Sequence, residues 1–210
     1  MSGLQSTPYG SWKSPITADL IVGQTVRLGQ IVVDGEDIYW IEMRPAEGGR
    51  NVIVKRTPDG KLTDMTSAGF NARTRVHEYG GGAFTVNKGT LYFSNDNDQR
   101  VYKQTTQTAP EPLTPKKEFR YADAIVDEHR NRLICVREDH TNSGQEAVNS
   151  LVSINLADGG DCNEIAIGND FYSSPSLSSD GKKLAWLTWN HPNMPWDGTE
   201  LWLAEITEDG

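Results

Sequence analysis

The chain has only two cysteines in 210 residues, Cys135 and Cys162, with no second pair to build a zinc site or a disulfide framework. A reducing, cytoplasmic setting is therefore expected. No apolar run approaches the roughly 20 residues needed to span a bilayer. The N-terminus has no basic and apolar leader, and no N-x-S/T acceptor for glycosylation occurs. Basic charge is also short: 20 Lys and Arg against 29 Asp and Glu leave a formal net charge of −9. Nucleic acid or an anionic membrane would be repelled by such a surface, so neither is an expected partner. The phosphate-cradling G-x-x-x-x-G-K-[ST] is missing, and no cofactor is expected. So is G-x-S-x-G, the sharp strand-to-helix turn that exposes a hydrolase serine beside its oxyanion hole. No catalytic residue is assigned.

What the chain does have is a succession of short segments rich in β-branched and aromatic residues, punctuated by Gly, Asp, Asn and Pro. This pattern predicts an all-β body. One helix of about two turns is expected earlier, over Ser14–Gly23, with Ser14 as N-cap, Pro15 at the first helical position and Gly23 past the end. The expected division is an N-terminal segment, 1–30, carrying this helix, and a β domain over 31–210.

The β domain repeats. Ile31–Ile41, Ala83–Phe93, Ala124–Val136 and Pro175–Leu187 each read as an apolar strand, a polar turn and a second apolar strand. Matching Ile38, Leu91, Leu133 and Leu184 gives steps of 53, 42 and 51 residues. A period of that size with several strands per unit marks blades of a β-propeller. Third strands are expected at Asn51–Arg56, Arg100–Gln104, Ser150–Leu156 and Glu200–Ile206, and the first and third of these lead through T-P-D-G and A-D-G-G turns to a fourth. After Ile206 only Thr207–Gly210 remains, a turn with no returning strand. The expected architecture is a partial propeller of about four blades built from four-stranded antiparallel sheets, as the front part of a longer protein. The other reading is a complete small propeller with a frayed tail.

Chemistry-bearing residues are few and scattered. His77, His129, His140 and His191 form no i, i+4 ligand pair, and the acidic run Asn95–Arg100 lacks the glycine and terminal glutamate of a calcium loop, so no metal site is expected. The Ser-rich run Ser173–Asp180 falls in a strand and turn of the repeat. Trp40, Trp186, Trp189 and Trp202 are expected to pack between blades. Trp196, in the Pro-rich loop H-P-N-M-P-W-D-G, suits either a loop anchor or a contact with another domain. The run R-V-H-E-Y-G-G-G-A-F, Arg75–Phe84, joins acid/base groups to three glycines. Its glycines fit either a close backbone approach at a crowded propeller axis or a tight bend between blades, and its charged residues fit a ligand or domain surface.

Four stretches together resemble the N-terminal propeller of the prolyl oligopeptidase family of serine peptidases, in its dipeptidyl aminopeptidase and acylaminoacyl-peptidase-related branch. They are Tyr9–Leu20, Ala72–Phe84, Ser174–Trp186 and Trp189–Trp202; the third is a generic propeller hairpin. The resemblance implies a non-catalytic propeller that gates access of short peptides or acyl-amino acids to a separate C-terminal α/β-hydrolase domain, which nothing in these 210 residues matches. It makes Arg75, His77, Glu78 and Trp196 candidates for facing the substrate or the domain interface, with a carboxylate such as Glu78 holding a free amino group. The competing readings are a stand-alone protein-interaction propeller and a small-ligand or lyase-type propeller.

Overall fold

A computed structural model describes residues 8–11, 13–23, 25–160 and 162–207. The helix α1 spans Ala18–Gly23, shorter than expected and with a different cap. Leu20 N–H donates to Thr17 Oγ1 at 3.1 Å, which makes Thr17 the N-cap. Ser14 instead accepts from Ile16 N–H at 3.0 Å in a local turn, and Pro15 lies ahead of the helix rather than in its first position.

Four antiparallel sheets follow in chain order, as a partial β-propeller requires. Blade 1 holds β1 (Arg27–Asp34), β2 (Asp37–Arg44), β3 (Arg50–Arg56) and β4 (Leu62–Asp64). Blade 2 holds β5 (Phe84–Asn87), β6 (Thr90–Ser94), β7 (Val101–Gln104) and the short β8 (Glu111–Pro112). Blade 3 holds β9 (Phe119–Asp127), β10 (Arg132–Asp139), β11 (Val148–Asn155) and β12 (Asn163–Ala166). Blade 4 holds three described strands, β13 (Phe171–Leu177), β14 (Lys183–Trp189) and β15 (Glu200–Glu205). The turn expected at 207–210 lies outside the described residues beyond Thr207. β1 begins four residues before the expected boundary at 31, because Arg27–Gly29 already pair with Met43–Ile41.

Alternation along the strands gives each blade two buried faces. Leu91 and Phe93 point back to Tyr39 and Ile53 of blade 1, while Tyr92 points forward to Tyr121, Leu133 and Cys135 of blade 3. In β10 the next residues, Ile134 and Val136, reach Tyr172, Leu184 and Trp186 of blade 4. Each side chain so buried contributes about 1.5 to 3 kcal/mol. The outward faces of the end blades have no such cover among the described residues: Ile31 and Val33 of blade 1, and Leu201 and Leu203 of blade 4, are exposed. Trp186 and Trp189 are buried as expected, but Trp202 is about half exposed, with its ring stacked on Trp186 at 6.3 Å.

The innermost strands β1, β5, β9 and β13 neighbour one another in that order. In the strand or just ahead of it, each has a residue in the left-handed region that faces its neighbour: Gln30, Gly82, Asp123 and Ser174, with φ of 26°, 60°, 53° and 54°. Hydrogen bonds link them across blades. The Gln30 amide accepts from Ala83 N–H at 2.9 Å and donates to Phe84 O; Asp123 N–H donates to Gly82 O at 2.8 Å; Ser174 N–H donates to Asp123 Oδ2 at 3.0 Å. Gly82 fits this row because it has no side chain: a Cβ there would lie 1.8 Å from Asp123 Oδ1.

Candidate functional site

The loops that enter the innermost strands and those that join the second strand of each blade to its third all emerge on one face of the array. Two clefts open there. The larger, of about 690 Å³, lies between the β4–β5 connection, the ends of β10 and β14, and the starts of β11 and β13. The smaller, of about 510 Å³, lies beside it and shares Arg120 and His140 with it.

The wall of the larger cleft is aromatic. Phe171 and Trp189 are directly paired across β13 and β14, and their rings stack at 5.2 Å. The His77 ring meets both edge-on, at 5.5 Å from Phe171 and 5.3 Å from Trp189, and the His191 ring lies tilted against Phe171 at 4.9 Å. Burial holds the His77 imidazole below its ordinary 6.5, which favours the neutral ring. Its Nε2 is buried and has no hydrogen-bond partner among the described residues.

The floor is polar. Glu138 and Asn149 face each other across β10 and β11. Glu138, with only 6% of its side chain exposed, accepts from His77 N–H at 2.6 Å through Oε1 and from His140 Nε2 at 3.0 Å through Oε2. Asn149 is buried, and its Oδ1 has no partner among the described residues. At the rim, Arg120 donates to Arg75 O at 3.0 Å and to Glu78 Oε1 at 2.7 Å, and this guanidinium pulls the Glu78 carboxyl below the usual carboxylate range. Asp170 accepts from both the backbone and Nδ1 of His191, at 2.8 and 3.0 Å, which lowers its pKa as well. Glu146 stands 3.8 Å from the far side of the same imidazole. Four carboxylates, of Glu78, Glu138, Glu146 and Asp170, therefore line a cleft that holds one guanidinium and no lysine.

Of the residues singled out in the sequence, His77 and Glu78 line this cleft. Arg75 lines the neighbouring one and pairs with Asp96 at 3.1 Å. Trp196 is 76% exposed and outside the lining of both clefts, although Met194 and Pro195 of the same loop line the larger one. The acidic run at 95–100 is occupied by protein donors: Asp96 takes Arg75 and Asn71, and Asp98 takes Tyr102 and Asn95. Among the described residues no group of three His, Cys, Asp or Glu is placed to hold a metal ion. Glu138, His140, Asn149, Asp170, Phe171, Trp189 and His191 were not legible as a site, since they come from separate blades. The one available signal was that three of the four histidines fall at blade-edge positions of the same end of the repeat.

Comparison with solved structures matches this chain to two peptidases. A puromycin-hydrolyzing peptidase of Mycobacterium tuberculosis is 36% identical over 97% of this chain, with a TM-score of 0.87. A puromycin hydrolase is 34% identical over 99%, with a TM-score of 0.89. The chain spans about a third, 34%, of the length of each. TolB from Acinetobacter baumannii, 14% identical with a TM-score of 0.60 over 86% of this chain, shares the fold alone. No protein-family model matches the chain, and no curated protein does.

Proposed function

Because the chain belongs to the prolyl oligopeptidase family of serine peptidases, as its N-terminal β-propeller, we propose that it serves a peptidase as a non-catalytic gate. In this reading it admits short peptides or acyl-amino acids to a separate α/β-hydrolase domain and keeps larger chains out. The observation that carries the reading is the match, at 36% identity over 97% of the chain, to a peptidase about three times as long.

Two features of the molecule support it. The clefts sit together on one face, where a second domain laid over the loops would enclose them, and a small polar ligand fits their volume while a folded protein does not. The exposed apolar faces of blades 1 and 4 suit further blades packed as blades 1 to 4 pack on one another. The cytoplasm is the proposed location, from the scarcity of cysteine and the free state of Cys135 and Cys162. No helix among the described residues is long and apolar enough to cross a membrane.

The test is a length series. A peptidase carrying this propeller and a hydrolase domain is given aminoacyl anilides, peptides of increasing length and casein, in parallel with the 210-residue chain alone. The expected result is rapid cleavage of short substrates and none of casein by the two-domain enzyme, and no hydrolysis by the 210-residue chain. Equal cleavage of casein would remove the gating role.

A further inference from the structure

We infer that the smaller cleft is a binding site for a carboxylate group, carried by a peptide C-terminus or by a small free acid. The site adds to the gating reading and does not depend on it.

The two clefts that share Arg120 differ in the sign of their charge. In the smaller one the cationic side chains of Arg75, Lys116, Lys117 and Arg120 face three carboxylates, an excess of one positive charge, whereas carboxylates are in excess in the larger. Two of the three carboxylates are already engaged by the protein. Asp96 accepts from Arg75 at 3.1 Å and from Asn71 at 3.2 Å, and Asp98 accepts from the Tyr102 hydroxyl at 2.7 Å and from Asn95 at 3.0 Å. Glu118, the third, is exposed. Lys117 lies over the Phe119 ring at 5.6 Å, and cation–π attraction to this ring of the cleft wall holds its ammonium there.

Arg120 supplies the geometry. Its Nη1 donates to Arg75 O at 3.0 Å and to Glu78 Oε1 at 2.7 Å, while its Nε and Nη2 donate to none of the described residues. About a fifth of the side chain, 22%, is exposed. The open Nε–Nη2 edge carries two parallel N–H groups, the fork that a carboxylate accepts with both of its oxygens. Because Nη1 is already anchored to a backbone carbonyl and a carboxylate, the fork is oriented before a ligand arrives, and binding costs little further side-chain entropy. Charge then selects among anions. One excess positive charge is neutralised by a monoanion and overshot by a dianion, so a carboxylate is favoured over sulfate or a phosphate dianion.

The experiment is calorimetric titration of the 210-residue chain at pH 7 with N-acetylglycylglycine, N-acetylglycylglycinamide, acetate and sulfate; the acetyl group keeps a free amine out of the comparison. N-acetylglycylglycine is expected to bind one to one, with its amide at least about tenfold weaker, since one charge-assisted hydrogen bond is worth about that factor. Sulfate is expected to bind more weakly than the acid. Arg120→Lys keeps the charge and removes the fork, and should weaken binding of the acid by about tenfold. Lys116→Gln changes a residue that lines the smaller cleft and not the larger, and should weaken it by about threefold, as for one partly exposed ion pair. This second variant locates the site should Arg120→Lys fail to fold. Acetate binding as tightly as N-acetylglycylglycine supports the site with small free acids as its ligands; weaker binding of acetate supports it with the peptide C-terminus. Equal binding of acid and amide, tighter binding of sulfate, no binding of any of the four, or folded variants that bind the acid as the parent does would each overturn the carboxylate site. Its failure leaves the gating reading standing, because that reading is decided separately by the dependence of cleavage on substrate length.

Discussion

Glu138 Oε1 accepts the backbone N–H of His77 across 61 residues of sequence, at 2.6 Å, and thereby ties the third blade to the connection between the first two. The tie falls on a strained segment. His77 and Glu78 both lie in the left-handed region, at φ of 55° and 62°, and three glycines with positive φ follow them. A buried carboxylate holding that N–H offsets part of the strain and fixes the His77 ring against Phe171 and Trp189. Replacing Glu138 with Ala is therefore expected to cost about 2 to 3 kcal/mol, and with Gln distinctly less because an acceptor oxygen remains. Urea unfolding midpoints of the two variants test this ordering.

Gly82 and Gly35 should be unequal in their tolerance of alanine. A Cβ on Gly82 meets Asp123 Oδ1 and the Asp123 backbone nitrogen, the latter at 2.7 Å, whereas Gly35, at a similar φ of 62°, has nothing within 4 Å. Gly82→Ala is expected to destabilise by more than about 2 kcal/mol, and Gly35→Ala by about 1 kcal/mol from backbone strain alone. Thermal unfolding of both variants decides it; equal losses would mean that the close approach at the row of inner-strand bulges has no energetic weight.

His77 predicts a pH dependence of stability. Its folded pKa is lowered by burial from an ordinary value of 6.5, so between 6.5 and that lower value the unfolded chain binds more protons than the folded one. Stability contributed by the neutral ring is complete above 6.5 and is lost as pH falls through the folded pKa. Denaturant unfolding from about pH 7.5 to about pH 5 should show this decline, and His77→Phe should flatten it. An unchanged slope in the variant would assign the decline to other groups.

Two tryptophans of the β14–β15 region, Trp189 and Trp196, should differ sharply. Trp189 is 5% exposed and packed by His77 and Phe171, so Trp189→Ala is expected to cost about 3 to 5 kcal/mol. Trp196 is mostly exposed, and Trp196→Ala should change the stability of the 210-residue chain by less than about 0.5 kcal/mol. Calorimetric melting of the pair tests the contrast.

The sequence by itself determined the blades, because a strand pair and its turn are local: alternating apolar residues around V-D-G-E-D, V-N-K-G and S-S-D-G specify β1–β2, β5–β6 and β13–β14 with no reference to distant residues. It misplaced the helix cap, since Ser14 and Thr17 are both competent and only the backbone path selects Thr17. It also marked the glycine run, because three consecutive residues without a Cβ suit a place where two backbones come close, and at Gly82 they do. What it did not contain was the site. Glu138, Asn149 and Phe171 fell outside the expected strands, Trp189 read as packing between blades, and His191 as a loop residue. They form one cleft only because consecutive blades rotate about a shared axis and bring the same end of each sheet to one face. The row through Gln30, Gly82, Asp123 and Ser174 sets that rotation by hydrogen bonds between residues 41 to 54 positions apart, a distance in sequence over which no local pattern carries information.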